Sequence, residues 1–335
     1  MINVKKLKYK VIVLTETGTQ LDITNAVKDL GWSESEKELA SKVTFTMLNA
    51  SKNGKSLSQQ VKLGCKVIVQ ADWGGGMKTV ATATIQEATE EPSRPEEDYQ
   101  ILAYDCLYNL LKSSDDYYKS KGKTTTYLIN DVLGQWGLSV AEYKGPNVTH
   151  DKQKFQNKKI SDILLDILEE AKDKGGGKSV LRTTATDKIA VVKWGTNDTI
   201  WALTGDNSIS SMHKVTTANM VTRVKIMSTA DKKSAPKVEA TVSGDTTYGV
   251  FQKIITHKKK EKLSEAKAEA QKMVKENGKP EETSKVVSPD IPPLRKGDKI
   301  YLDVGALHGY FYVVSVSHDA DAGKMTTMVK KPADV

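Results

Sequence analysis

Through most of this chain apolar and polar residues alternate with the two-residue period of a strand that turns one face to a core and the other to water. Val43, Phe45 and Met47 share a face over 42–48, and 221–226 alternates as strongly. Residues 9–14, 21–24, 179–182, 188–193, 238–242 and 248–255 also read as strands. After a proline-rich entry, 289–331 holds two β-branched and aromatic runs, 299–304 and 311–317. Residues Gly305 to Gly309 join them and a third run follows at 325–329, which makes an antiparallel meander. An earlier stretch repeats the layout. Leu63-Gly64-Cys65-Lys66-Val67-Ile68-Val69 matches Arg295-Lys296-Gly297-Asp298-Lys299-Ile300-Tyr301-Leu302, and a turn at Gly74-Gly75-Gly76, a strand ending in Ile85, acidic residues and a closing strand at 100–103 follow it. Two similar β-units in one chain imply an internal duplication.

From Asp105 the period changes to that of helices. Leu107, Leu110 and Leu111 have helical spacing, and Thr124-Thr125-Thr126 offers capping hydroxyls to a helix through Leu128, Ile129, Val132 and Leu133. Ile160, Ile163, Leu164, Ile167, Leu168 and Ala171 form a clear apolar stripe that Gly175-Gly176-Gly177 ends. A longer helix is expected at 264–277, with Ser264 as N-cap and Asn277-Gly278 as C-cap. The expected class is therefore α+β, mainly β. A first β domain spans 1–104 and is completed by about residues 205–230, a small α/β insert spans 105–204, and a second β domain spans 231–335. The polar break at 228–237 suggests the last boundary. Trp32 is expected in a turn, and 91–97 forms an acidic exposed one.

Composition adds limits. The chain has 335 residues, 38% of them hydrophobic and 27% charged, as in a globular protein with room for two or three cores. It holds no apolar run of membrane-span length, and its first residues alternate instead of forming a signal-peptide core, so synthesis in the cytoplasm is expected. Cys65 and Cys106 lie in apolar runs without metal-ligand spacing and read as reduced thiols. The net charge of +8 permits an acidic partner, but much of it sits in clusters such as Lys232-Lys233 and Lys258-Lys259-Lys260.

The candidate chemistry fails on spacing. Gly122-Lys123-Thr124 resembles the end of a phosphate loop, yet the glycine required five positions earlier is Tyr117. The triple glycines suit a hairpin and a helix stop. Asp319-Ala320-Asp321-Ala322-Gly323 opens like a calcium loop, but Gly323 and Lys330 stand where ligands are needed. The five histidines are scattered singly, without HExxH or GxSxG. Tyr117-Tyr118-Lys119-Ser120-Lys121-Gly122-Lys123 is the best local match to a nucleic-acid footprint, but it joins two expected helices, and no specific nucleic-acid partner is expected.

Several stretches resemble the baseplate hub proteins of contractile phage tails and phage-tail-like bacteriocins, of the XkdQ or late-control-D type. They are Trp32-Ser33, the run from Tyr104-Asp105-Cys106 to Tyr117-Tyr118, Met220-Val221-Thr222-Arg223-Val224, Tyr248-Gly249-Val250-Phe251-Gln252, the Ala-rich helix from Ser264, and Arg295-Lys296-Gly297-Asp298-Lys299-Ile300-Tyr301. Cys106 stands where that family often has proline. The resemblance implies two β-barrel domains of tail-tube type with an intervening insert. It also implies a homotrimer that adapts a hexameric tail tube to a trimeric central spike, beside a LysM-containing baseplate protein and without a membrane. No catalytic, cofactor or metal residues are implied; Gly64, Gly297, Asp298 and Gly249 are the turn positions singled out. A peptidoglycan- or receptor-binding tail-tip module, or a peptidoglycan hydrolase, is the alternative.

Overall fold

A computed structural model of the chain describes residues 7–52, 54–91, 98–229, 235–257 and 262–332. Residues 1–211 with 285–335 form one compact body and 212–284 another.

The larger body begins with β1 (Lys8–Leu14), β2 (Gln20–Asp22), β3 (Val27–Ser35) and β4 (Glu38–Leu48). A small hairpin follows, β5 (Ser51–Lys52) and β6 (Lys55–Ser56), then the single turn α1 (Leu57–Gln60). Next come β7 (Lys66–Asp72), β8 (Lys78–Glu91) and β9 (Asp98–Tyr104). These strands pair in the order β2-β1-β7-β8-β9-β4-β3, all antiparallel. The alternation read in the sequence decides which side is dry: Val11, Val13, Phe45, Met47, Val67, Val69 and Ala103 share one core. Trp32 is buried there in β3, not placed in a turn, and its ring stacks on His318 at 4.4 Å.

The insert runs through α2 (Tyr108–Lys112), β10 (Ser114–Lys119), α3 (Thr125–Gln135), β11 (Val140–Lys144), β12 (Gln153–Lys159), α4 (Ile160–Ala171), β13 (Ser179–Thr183) and β14 (Ile189–Lys193). Thr124 caps α3 as expected, its hydroxyl accepting the Tyr127 N–H. The stripes of α3 and α4 pack together over Leu181, Ile189 and Val191.

The chain then enters β15 (Trp201–Thr204) and β16 (Ser210–Thr216). β16 crosses into the smaller body at Met212, and that body goes on through β17 (Arg223–Ser228), β18 (Val238–Ser243), β19 (Gln252–His257) and α5 (Leu263–Asn277). Its sheet order is β18-β17-β19, and Ala266 and Ala270 of α5 pack on Val221, Val224 and Ile226. Small residues let the helix come close: a Cβ on Gly244 would lie 2.5 Å from Val274 Cγ1. Lys262, not Ser264, precedes this helix, because Glu265 reaches back to accept the Lys262 N–H at 3.2 Å.

The last strands are β20 (Glu281–Pro289), β21 (Lys299–Val304), β22 (Leu307–Asp319) and β23 (Lys324–Lys330). They repeat the first set in chain order and pairing. β21, β22 and β23 stand as β7, β8 and β9 do; β20 beside β23 matches β4 beside β9, and β16 beside β20 matches β3 beside β4. β15 takes the place of β1 but runs parallel to β21, whereas β1 is antiparallel to β7. The second repeat has its own core of Leu302, Phe311, Val313, Val316 and Val329.

Two expectations change. The second repeat starts near Trp201 rather than at 231, and compactness divides the chain at 211/212 and 284/285 rather than at 104, 204 and 231. The long helix thus belongs to a body, 212–284, that begins within β16 and ends within β20. Secondly, the sheets of the described residues are open. The edge strand β3 pairs with β22 of the second repeat, from Ser315↔Ser35 to Asp319↔Gly31, instead of closing its own repeat into a barrel. Gly31 permits that approach, since a Cβ there would lie 2.9 Å from the His318 carbonyl oxygen. Residues 92–97 of the expected acidic turn, Lys232-Lys233 and Lys258-Lys259-Lys260 lie outside the described residues.

Candidate functional site

Gly64 and Gly297 each begin a strand from the same turn. Both have φ +85°, a left-handed backbone that side chains resist. Cys65 donates to the Lys62 carbonyl at 3.2 Å, and Asp298 to that of Arg295 at 3.2 Å. The side chain closing each turn accepts the N–H that opens it: Cys65 Sγ from Lys62 at 3.4 Å, Asp298 Oδ2 from Arg295 at 3.0 Å. Gly64 donates to Ile85, which donates back to Cys65; Gly297 donates to Val313, which donates back to Asp298. Beyond those partners both long strands skip a residue, between Ile85 and Glu87 in one and Val313 and Ser315 in the other.

What surrounds the two turns differs. At Gly64 a Cβ would meet nothing within 4 Å, and Leu63 beside it is 57% exposed. At Gly297 a Cβ would lie 2.9 Å from Val180 Cγ1, and Lys296 beside it is 2% exposed. The Lys296 ammonium donates to the carbonyls of Ser35, Glu38 and Leu39 at 3.3, 2.9 and 3.0 Å, pinning the β3–β4 turn. Glu34 accepts the Lys296 N–H at 3.2 Å and pairs with the Arg295 guanidinium, which also donates to the Thr183 carbonyl. Arg182 of the insert reaches Asp298 Oδ1 at 3.0 Å and the Lys296 carbonyl at 2.5 Å. Asp105 accepts from Ser41 and Thr183. Both repeats and the insert therefore meet at one buried ionic junction.

The charges there answer to opposed forces. Burial alone would raise Glu34, but Arg295 and Lys296 outweigh it and hold the carboxyl below its ordinary range. Burial lowers Lys296 against the pull of Glu34 and Asp105. Burial also raises Asp298, against Arg182, and Asp105, against the hydrogen bonds from Ser41. A buried network of this kind is costly unless fully satisfied, so it specifies one arrangement of the parts it joins.

Of the expected turn positions, Gly64, Gly297 and Asp298 thus lie in matched turns. Gly249 stands apart in the smaller body at φ +116°, donating to the Thr246 carbonyl and accepting from the Thr222 hydroxyl. The buried ionic role of Glu34, Lys296, Arg182 and Asp105 was not read from the sequence. The available signal was Lys296 at the position Leu63 holds in the other copy.

Other arrangements explain the motifs that looked chemical. Asp72 Oδ1 fills the nest of amides of Gly74, Gly75 and Gly76 at 2.8, 3.1 and 3.1 Å, where a phosphate would otherwise sit. In the 319–323 turn Asp319 accepts from Ala322, and Asp321 from Asp29 of β3. The insert does assemble a hydroxyl, an imidazole and a carboxylate: Thr125 Oγ1 lies 2.8 Å from His150 Nε2, and His150 Nδ1 lies 3.0 Å from Glu170 Oε2. Thr125 is completely buried at the start of α3, so no substrate carbonyl can reach its oxygen. Its role is to tie α3 to α4.

The fold so assembled is that of phage tail proteins. A 43 kDa tail protein of prophage MuSo2 from Shewanella oneidensis superposes with a TM-score of 0.70 at 14% identity, over 98% of this chain and 99% of that one. A tail protein from Neisseria meningitidis MC58 gives 0.67 at 12% identity, over 96% of each chain. More particularly, the chain belongs to the YQBQ-like family, which it matches over residues 30–330. The protein YqbQ of Bacillus subtilis (strain 168) is 24% identical over 216 residues, 63% of this chain and 65% of that protein.

Proposed function

We propose that the protein is a structural, non-enzymatic component of a phage tail or tail-like particle, and specifically the baseplate hub. Three copies would form a ring that meets a hexameric tail tube on one side and a trimeric central spike on the other, beside a LysM-containing baseplate protein. Synthesis in the bacterial cytoplasm would precede incorporation into the baseplate. The observation that carries this reading is the repetition of one turn-and-strand geometry at Gly64 and Gly297. A closed ring needs matching surfaces around its circumference, and three chains can imitate six only if each supplies two like units. The tail-protein fold and the family membership support the same reading.

The test is sedimentation of the purified chain, alone and with tube and spike proteins, followed by imaging of any complex. A trimer with near-sixfold density on one side is expected. A chain that stays monomeric with both partners present contradicts the reading, as does a ring of another order.

A further inference from the structure

The repeat correspondence can be applied to strand edges as well as to turns. In the second repeat, β22 gives its edge to two strands: residues up to Tyr312 pair with β21, and Ser315 to Asp319 pair with β3. In the first repeat, β8 likewise gives Lys78 to Thr84 to β7. The stretch equivalent to Ser315–Asp319, fixed by the shared irregularity after Ile85 and Val313, begins at Glu87. Among the described residues no strand pairs with that edge beyond Thr84, and residues 87–90 are exposed. The first repeat therefore carries a vacant position where the second carries β3.

The strand equivalent to β3 is β16. It ends the sheet path, and its residues are exposed from Ser210 to Val215, including Met212 and Val215 at 45% and 56%. A free strand edge with bare apolar side chains is a liability unless another strand covers it. From the repeat correspondence we infer that the edge of β8 at Glu87 and Glu90 pairs antiparallel with β16 of a second copy of this chain.

Three observations fit the two edges to each other. β3 and β22 show the pairing already made once inside the chain, antiparallel and in the same place. The β8 edge carries Glu87 and Glu90, whereas β16 carries Lys214. Opposite charges facing across strands stabilise a pair, and like charges oppose slipped or self-paired alternatives. Lastly, Leu63 is exposed at the turn whose counterpart buries Lys296 against its neighbour, as the place of a missing neighbour would leave it. The contact is head to tail, so it closes into a ring or continues into a filament. It rests on the hub reading for closure at three.

The experiment places cysteines at both edges of one chain, E90C with M212C, and treats the folded protein with a short bismaleimide. Each single variant serves as a control against Cys65 and Cys106. Cross-linked dimers and trimers, and nothing larger, are expected from the double variant, and dimers from a mixture of the two single variants. K214E should weaken cross-linking at least tenfold, and mixing it with an E87K/E90K chain should restore it. A trimer by sedimentation without cross-links overturns the edge pairing and leaves the hub reading in place. Cross-linked ladders beyond three support the pairing and overturn closure at three. Monomers without cross-links, in variants that melt as the parent does, overturn both.

Discussion

Gly64 and Gly297 hold the same left-handed backbone, φ +85°, and each passes its N–H to the strand residue that returns a bond to the next position in the chain. They are one turn built twice, in different company.

That difference predicts unequal costs for one substitution. Gly64→Ala bears the left-handed strain alone, about 1–2 kcal/mol. Gly297→Ala adds a Cβ 2.9 Å from Val180, and a bulkier side chain there should also abolish assembly. Urea unfolding of both variants measures the gap; equal losses would show that Val180 moves away freely, and intact tails from a bulky Gly297 variant would count against the duplicated unit.

Replacing Lys296 with methionine should cost about 3–5 kcal/mol, because three buried carbonyls lose their donor and Glu34, though it keeps the main-chain N–H at 296, loses the attraction of a buried cation. Leu63→Met, at the matching position, should change stability by less than about 0.5 kcal/mol. Comparison of the two unfolding curves decides whether the junction has the strength assigned to it.

Acid should loosen the insert through Glu170. Burial alone would raise this carboxyl, yet bonds from Lys174, His150 and Gln153 hold it at about 2, against an ordinary 4.5. A depressed carboxyl stabilises the folded state above its unfolded value, and that contribution is lost as pH falls from about 4.5 towards 2. Melting temperatures across this window should fall more steeply for the parent than for Glu170→Gln. Parallel slopes would remove Glu170 from the account.

Thr124→Ala should destabilise the insert by about 1 kcal/mol by taking away the hydroxyl that accepts the Tyr127 N–H. Thr124→Ser should restore most of it, and circular dichroism on heating reads both.

The repeat was legible because a left-handed turn before a strand demands glycine, and glycine is visible in a sequence. The helices of the insert were legible for a similar reason, since Ile160 to Ala171 carry their own periodicity. The extent of the second repeat was not. Between β16 and β20 run three strands and a long helix, and no local pattern records which distant strand an edge will choose. The junction was hidden for another reason. Lys296 and Glu34 look like surface residues by type, and only the meeting of β3, β13 and the 295–298 turn makes them interior.

The contrast between Lys296 and Leu63 also distinguishes the two repeats from each other. If both turns carried leucine, either repeat could sit in the other's berth, and a newly made chain could fold with its halves exchanged or share them with a neighbour. A lysine that finds three carbonyls and a glutamate in one place, and none of them in the other, gives each half an address. The duplicated chain thereby keeps the economy of repetition without its ambiguity.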